Sequence, residues 1–387
     1  MLSLAFSFLT YTAVSAYYRI LIYGSVPTEL RQLDFEKFAR IMHLINTRYL
    51  EETTPEVLME GVFKGMLMSL GDPYSAYLDA SQYRDMLEKA SGTYSGIGVY
   101  VGQRGGFITI IAPIKGTPAE RGGLQSGDRI VQVDGKDIVG ASVDEAVQLI
   151  RGREGTPVRL TIVREGNDRT LEVEIIRATV EVNPVEYEMV GADIGYVRIT
   201  VFNEHASTNV KSAIQELKAR GAKALILDLR QNPGMLLDQC LEVAELFIPE
   251  GPIVHTVYRD GTRETFSSKT PGLNMPLVVL IDQGTASASE IVAGAIQDSG
   301  TGILVGTRSF GKGLVQSLID LRDGTAVKLT TSKYLTPAGR DIHDEGISPN
   351  IQVNLEEGET PRMPSQGLDR QVEAAIAVLR SQLKAGS

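Results

Sequence analysis

The stretch from Leu280 to Gln316 constrains the fold of this chain more than any other. The apolar run before it, from Pro276 to Ile281, predicts a strand. Small residues then predict a turn, and a helix is expected to begin near Ser287, with an apolar face formed by Ile291, Ala295 and Ile296. The sequence therefore predicts a strand, a tight turn and a packed helix in immediate succession.

Ser287 lies in the turn before this helix, where its hydroxyl is expected to point outward. The first backbone N–H groups of a helix have no intrahelical acceptor, and the positive end of the helix dipole lies there. An oxyanion formed by attack of the Ser287 hydroxyl would be stabilised at this place. The simpler interpretation is that Ser287 and Ser289 only cap the helix, a position that serine favours.

Lys312 lies between Gly311 and Gly313, next to Phe310. Glycines allow a tight, closely packed backbone, and an apolar pocket lowers the pKa of a lysine so that it can act as a general base. Gln316 follows four residues later. A straight strand would carry Gln316 too far from Lys312, so the chain must turn if the two residues cooperate.

Taken together, the two motifs resemble those of the carboxy-terminal processing peptidases, serine proteases of the tail-specific type. That family carries a Ser-Ala-Ser-Ala-Ser-Glu-like turn and a later Phe-Gly-Lys-Gly-x-x-Gln pattern; here Thr285 replaces the first serine. The resemblance implies that Ser287 is the nucleophile, Lys312 the base and Gln316 a supporting amide. It implies no metal and no organic cofactor.

The segment from Asp228 to Gly234 follows a predicted strand and precedes a predicted helix, a natural place for a backbone donor. It resembles the Asp-Leu-Arg-x-Asn-Pro-Gly-Gly loop of the same family. The resemblance implies an oxyanion hole formed by the N–H groups of Gly234 and Ala288. Met235 replaces the second family glycine, which puts the loop geometry in doubt. The alternative interpretation of this segment is an ordinary strand–helix turn.

Short strands and one helix, from Ser142 to Arg151 and capped by Ser142, are predicted between residues 93 and 178. The loop Pro118–Asp128 and the Asp134-Gly turn resemble a PDZ domain. The resemblance implies a carboxylate-binding loop, to which a peptide adds as a strand, at Gly96, Ile97, Gly98 and Val99. Arg151 could supply charge to that groove, or it could be a solvated arginine at a helix end.

Composition excludes several classes of function. The net charge of −10 and the absence of a basic stripe predict no nucleic-acid partner. The single cysteine, Cys240, cannot form an intrachain disulfide. Four scattered histidines lack ligand spacing, so no metal site is predicted, although a histidine could reach Ser287 in space.

The first 18 residues carry no charge, and Arg19 interrupts the apolar run. This pattern favours a signal peptide, with the small residues from Val14 to Ala16 suited to cleavage, or a membrane anchor, although both lack a basic n-region. A buried amphipathic helix is the alternative. An extracytoplasmic protein, periplasmic or in the cell envelope, is therefore expected, secreted or anchored.

The expected fold is a multidomain α/β protein. It has a signal peptide or anchor (1–24), an N-terminal helical region (27–92), an inserted PDZ domain with a small barrel-like sheet (93–178), an α/β core of the crotonase or ClpP type (179–355), and a linker with a C-terminal helix (356–387). The last helix, with Val372, Ala375, Ile376 and Leu379, could pack on a second subunit or on its own core. A homo-oligomer is therefore considered.

The resemblance extends from about Arg31 to Val353 and implies a Ser–Lys endopeptidase that recognises substrates with free carboxyl termini. It further implies that a tail in the PDZ groove controls the active site, with hinges near Gly92 and Ala178. The rival hypothesis is an inactive scaffold that only binds carboxyl termini; Met235 favours it, and the intact Ser287 and Lys312 oppose it. A hydratase-type enzyme is a third alternative, but it explains neither the lysine nor the PDZ region.

Overall fold

The computed structural model describes residues 35–166 and 169–385 of the chain. The predicted signal peptide or anchor, residues 1–24, lies outside these ranges. In the part of the chain that the structure describes, no helix combines the length and apolarity needed to cross a bilayer. The described residues form two compact units, which meet in sequence between Asp72 and Pro73.

The first unit consists of the helices α1 (Phe35–Arg48) and α2 (Pro55–Met68). Thr54 caps α2, and Pro55 occupies the first turn, where its missing N–H costs nothing. Both helices were predicted from their apolar periodicity. That periodicity does not produce a buried core here, since Ile41 is 48% exposed and Met66 is 60% exposed.

The second unit begins with β1 (Ala76–Leu78), α3 (Ala80–Ser91) and β2 (Thr93–Gly96). The strand β1 lies within the region that was predicted to be helical. It was not recognised because its partner, residues 326–328, is 250 positions away in the chain. A capping box between Asp79 and Gln82 starts α3, and Gly92 ends it in the left-handed conformation.

A small antiparallel sheet with two helices follows, as the PDZ resemblance implied. Its strands run in the order β3–β4–β5–β7–β8, with β6 beside β5 and with β3 at an edge. Ser142 caps α5, as predicted, whereas β8 was not predicted. The elements are β3 (Val99–Arg104), β4 (Phe107–Pro113), α4 (Pro118–Arg121), β5 (Arg129–Val133), β6 (Lys136–Asp137), α5 (Val143–Ile150), β7 (Pro157–Val163) and β8 (Leu171–Ile176).

A two-stranded ribbon carries the chain into and out of this small sheet. It pairs β2 with β9 (Ala178–Glu181). The two predicted hinge positions lie at opposite ends of this ribbon, because Ala178 pairs with Gly96 whereas Gly92 precedes Thr93, which pairs with Glu181. Gly92 must be glycine, because an added Cβ would lie 2.2 Å from Nδ2 of Asn203.

The central sheet has six strands in the order β10–β11–β12–β15–β16–β19, and all pairs from β11 onward are parallel. Buried apolar strands alternate with helices, as the sequence predicted. The elements are β10 (Val185–Val190), β11 (Ile194–Ile199), α6 (Ala206–Ala219), β12 (Ala224–Asp228), α7 (Leu237–Phe247), β15 (Leu277–Ile281), α8 (Ala288–Ser299), β16 (Ile303–Gly306) and β19 (Ile351–Gln352).

A second sheet lies beside the central one and was not predicted. It has the order β1–β18–β13–β14, and β17 also pairs with β18. Its strands come from distant parts of the chain, which is why local sequence patterns did not reveal it. The remaining elements are β13 (Gly251–Tyr258), β14 (Arg263–Ser268), β17 (Leu314–Asp320) and β18 (Ala326–Leu335).

The C-terminal helix α9 (Arg370–Ala385) follows a short 3-10 turn (Pro364–Gln366) and packs on the central sheet of its own chain. Its predicted apolar face is buried, including Val372 and Leu379 at 0% exposure. The sequence left open whether this face meets a second subunit or the chain itself. The structure places it against β12 and β15.

Candidate active site

Ser287 occupies the N-cap position of α8, directly after the turn that follows β15. Its backbone has φ 57° and ψ −119°, a conformation that costs a non-glycine residue about 1–3 kcal/mol. Ser287 is half-buried, whereas Ala286 and Ala288 on either side are buried. The predicted strand, turn and helix are confirmed, and the serine lies at the carboxyl end of a central strand, where α/β folds place their sites.

Glu290 connects the Ser287 turn to the Lys312 loop. Its carboxylate is completely buried. Oε2 accepts the N–H groups of Ser287 at 2.9 Å and Lys312 at 2.8 Å, while Oε1 accepts the N–H of Gly311 at 2.7 Å and the hydroxyl of Ser309 at 2.5 Å. The sequence analysis missed this role, although Ser-x-x-Glu is a recognisable capping-box pattern.

Tyr334 contacts the backbone of the same two residues, Ser287 and Lys312, through their carbonyl groups. Its hydroxyl hydrogen-bonds with the backbone carbonyl oxygen of Ser287, at 3.0 Å, and with that of Lys312. Burial, reinforced by the charge of Glu290, raises the pKa of Tyr334 well above its ordinary value, so the hydroxyl remains a donor. The sequence analysis assigned no role at the site to this residue, which lies in β18.

The glycines around Lys312 have the predicted function of allowing close backbone contact. A Cβ at Gly311 would lie 2.9 Å from the backbone nitrogen of Gly346, and one at Gly313 would lie 2.8 Å from that of His343. The segment 343–346 thus packs against the Lys312 loop.

The aromatic ring beside the amine of Lys312 belongs to Tyr74. Nζ of Lys312 lies 5.1 Å from the centroid of that ring, whereas Phe310, its neighbour in sequence, is 56% exposed. The rings of Tyr74 and His343 lie 6.3 Å apart in an edge-on arrangement. His343 therefore lies next to the tyrosine ring that contacts Lys312, whereas the sequence analysis had considered a histidine that reaches Ser287.

Gln316 lies in β17, four residues beyond Lys312. Lys312 lies two residues before this strand, and the pairing of β17 with β18 shifts register between Val315 and Gln316. In the structure, Nε2 of Gln316 donates to Oγ1 of Thr330 at 3.2 Å. Its amide is thus engaged across the hairpin.

The loop after β12 packs directly on the Ser287 turn. A Cβ at Gly234 would lie 2.7 Å from both the carbonyl oxygen of Ala286 and the nitrogen of Ala288, so only glycine fits there. The N–H of Gly234 donates to Oδ1 of Asn232 at 2.9 Å. Met235 takes φ 131°, a region that favours glycine, as the family pattern at this position would suggest.

Arg230, at the start of this loop, is completely buried in an ionic cluster. Its guanidinium donates to Asp228 and, from Nη1, to both carboxylate oxygens of Asp369 and to Gln371, each at 2.9 Å. Burial lowers the pKa of Arg230, but the two carboxylates outweigh it and raise the pKa overall. The start of α9 thereby anchors the loop, which the sequence could not show across 139 residues.

The predicted peptide-binding residues meet around one cavity of about 160 Å³ in the small sheet. It is lined by Gly96, Ile97, Gly98, Val99 and Arg151, together with apolar residues of β3 and α5. The edge of β3 borders it.

Arg151 has two partners within this groove. Its Nη1 pairs with Oε2 of Glu88 at 2.9 Å, and its guanidinium carbon lies 5.0 Å from the ring centroid of Tyr94. Its Nε is buried and has no acceptor among the residues that the structure describes. Arg151 is therefore more than a solvated helix-terminal charge.

Three segments of the chain match family models. Residues 193–353 match peptidase family S41, residues 109–164 match the PDZ domain, and residues 23–82 match the N-terminal domain of the activating protease CtpB. The three segments lie in the order that the sequence analysis predicted.

Full-length relatives agree with these matches. The carboxy-terminal processing protease CtpA of Bacillus subtilis (strain 168) is 41% identical over 323 residues, which cover 83% of this chain and 69% of that protein. The carboxy-terminal-processing protease of Bartonella bacilliformis is 40% identical over 344 residues, or 86% of this chain and 79% of that one. A solved structure of a protein assigned to the S41 proteases, from Bacteroides fragilis NCTC 9343, shares the fold with a TM-score of 0.55 at 17% identity, covering 88% and 96% of the two chains.

The fold and these matches identify a serine-type protease with an α/β core and a PDZ domain. The chain belongs to the carboxy-terminal processing proteases of peptidase family S41. The family assignment favours a protease over the scaffold and hydratase alternatives.

Proposed function

We propose that this protease is a Ser–Lys endopeptidase that processes proteins whose carboxyl-terminal tails bind in the PDZ groove. The observation that carries the proposal is the shared partner of Ser287 and Lys312. One oxygen of the buried Glu290 carboxylate accepts the N–H groups of both residues, at 2.9 and 2.8 Å. Two segments 25 residues apart are thus fixed beside one another, as a nucleophile and its base must be.

In the proposed reaction, the neutral amine of Lys312 takes the proton of the Ser287 hydroxyl as its oxygen attacks the scissile carbonyl carbon. The tetrahedral intermediate collapses, the C–N bond breaks, and the leaving amine receives the proton from Lys312. Water then attacks the acyl-enzyme, with Lys312 again as base, and releases the second product and Ser287. Since only the neutral amine accepts a proton, the rate should rise with pH until Lys312 is deprotonated.

Two backbone groups are proposed to stabilise the oxyanion. Ala288 is the first residue of α8, so its N–H has no intrahelical acceptor and lies at the positive end of the helix. Gly234 lies close enough to contribute, but its N–H must first leave Oδ1 of Asn232. The side-chain amide of Gln316 would likewise have to break its hydrogen bond to Thr330 in order to support Lys312.

The groove beside β3 is proposed to bind the substrate tail. An edge strand offers unpaired backbone groups to an added peptide strand, and the cavity accepts an apolar side chain. The terminal carboxylate would meet the backbone of Gly96–Val99 and the buried Nε of Arg151. It would then compete with Glu88 for that guanidinium.

The proposed chemistry is tested by degradation of an unstructured protein with an apolar carboxyl tail. Ser287→Ala and Lys312→Ala should each lower kcat at least about 1,000-fold. Ser299→Ala, at the far end of the same helix, and Lys333→Ala, which only loses an exposed pair with Asp341, are matched controls that should retain activity. Full activity of Lys312→Ala would exclude it as the base.

Tail recognition is tested separately by binding to the Ser287→Ala variant. A peptide with a free carboxyl terminus should bind at least about tenfold more tightly than the same peptide with a terminal amide, because the amide has no charge for Arg151. Equal binding of the two peptides would exclude recognition of the carboxylate. Tail binding by a wild-type chain that cleaves nothing would instead support the scaffold hypothesis.

A further inference from the structure

Tyr334 comes from an interior strand that the proposed reaction does not use. In β18 it lies opposite Thr256 of β13, and its neighbour Lys333 pairs with Leu314 of β17. Its own N–H donates to the carbonyl oxygen of Gly313 at 3.0 Å, directly beside Lys312. Tyr334 is 2% exposed, so neighbouring residues surround its side chain on all sides.

The hydroxyl of Tyr334 serves two carbonyl oxygens from distant segments. One belongs to Ser287, at 3.0 Å, and the other belongs to Lys312. A phenol has a single proton, so the two oxygens share this donor. Burial raises the pKa of this phenol well above its ordinary value, which keeps that proton in place.

Hydrogen bonds to its N–H and carbonyl groups hold the backbone of Ser287 in its unfavourable conformation. Its N–H is bound by Glu290, and its carbonyl oxygen accepts the N–H of Ile291 at 3.1 Å at the start of α8. Tyr334 adds the contact that reaches from this carbonyl group to the Lys312 loop. Glu290 and Tyr334 thus link the same two residues, one through their N–H groups and the other through their carbonyl groups.

We propose that Tyr334 is a positioning residue whose hydroxyl couples the backbones of Ser287 and Lys312 and so holds the nucleophile and the base at their working separation. The inference rests on the proposed Ser–Lys reaction and deepens it. The hydroxyl of Tyr334 contacts the backbone carbonyl groups of the two residues, so its effect should fall on the chemical step and not on substrate binding.

Single-turnover cleavage of a tail-bearing peptide, with enzyme in large excess, tests this inference in Tyr334→Phe. At saturating enzyme the rate constant reports the chemical step and does not depend on the folded fraction. It should fall at least tenfold, while the enzyme concentration for half-maximal rate changes less than twofold. Tyr187→Phe, which removes an exposed hydroxyl bond to Glu216, is the matched control and should stay within twofold of wild type.

The outcomes separate this inference from the proposed function. If wild type cleaves, Ser287→Ala does not, and Tyr334→Phe matches wild type, only the positioning role is overturned. A smaller amplitude with an unchanged rate constant would mean that Tyr334 serves folding alone, which also overturns it. If Ser287→Ala cleaves like wild type, the Ser–Lys proposal itself fails, and this inference falls with it.

A structure of the wild-type protein acylated at Ser287 tests the inference without any variant. Both contacts of the Tyr334 hydroxyl should persist in the acyl-enzyme, because the two backbones must keep their separation for deacylation. Displacement of the hydroxyl from either carbonyl oxygen would overturn the proposal, even if Tyr334→Phe does not fold.

Discussion

The Glu290 carboxylate beside Ser287 is completely buried and accepts four hydrogen bonds, whereas Arg151 at the peptide groove has a side chain that is 39% exposed and shares one ion pair with Glu88. Around Ser287 the polar groups form hydrogen bonds with one another. At the groove an apolar cavity lies open beside an edge strand.

The Ser287 region is therefore expected to be rigid, whereas the peptide groove can exchange its polar contacts when a peptide binds. Buried, fully satisfied networks fix a geometry and are costly to disturb. Partly exposed ion pairs contribute about 0–1 kcal/mol and exchange partners readily. Changes to the first region should therefore cost stability and activity together, and changes to the second should mainly alter tail binding.

Glu290→Ala should have the largest effect. It removes the acceptor of four donors, two of them in fully buried hydrogen bonds, so the free energy of unfolding should fall by about 3–5 kcal/mol. Chemical denaturation measures this, and any folded protein should be at least about 100-fold less active, by analogy with the cost of misplacing catalytic groups. A loss below 1 kcal/mol would show that the network is not the frame of the site.

Asp369→Asn should come next, because it removes one of the two charges that hold the buried Arg230. Asparagine can still cap α9, so the change isolates the ion pair. We expect a loss of about 2–4 kcal/mol in denaturant unfolding. Arg370→Gln, which breaks the exposed pair with Glu356 one residue away, should cost less than about 1 kcal/mol. Equal losses in the free energy of unfolding for the two variants would contradict the contrast between buried and exposed ion pairs.

Met235→Gly and Met235→Ala should separate backbone strain from side-chain packing in the oxyanion loop. Both remove the side chain, but only glycine accepts φ 131° without strain. The glycine variant should therefore be about 1 kcal/mol more stable than the alanine variant in thermal unfolding, despite the greater flexibility of its unfolded chain. If alanine is the more stable of the two, Met235 is not strained.

Glu88→Gln should have the smallest effect and the opposite sign. It releases Arg151 for the carboxylate of a tail, so a tail peptide should bind Ser287→Ala about two- to fivefold more tightly when Glu88 is also replaced. Fluorescence polarisation measures the change. Glu174→Gln, which breaks the exposed pair with Arg159 elsewhere in the small sheet, is the control. Weaker binding after Glu88→Gln would show that Glu88 helps to build the groove.

Local sequence patterns predicted much of the molecule. The apolar run from Pro276 to Ile281 located β15, and Ser142 correctly predicted the start of α5. Motif order gave the family and the segments that carry Ser287, Lys312 and the groove. Such features are readable because hydrophobic period, caps and turn residues act within a few positions of one another.

The tertiary structure alone decided what joins these segments. The sequence gives no sign that Tyr334 reaches Ser287 across 47 residues, or that Asp369 reaches Arg230 across 139. Nor did it show that Gly234 already donates to Asn232. Buried polar groups must find partners wherever the folded chain supplies them, so these contacts depend on packing in three dimensions and leave no periodic trace in the sequence.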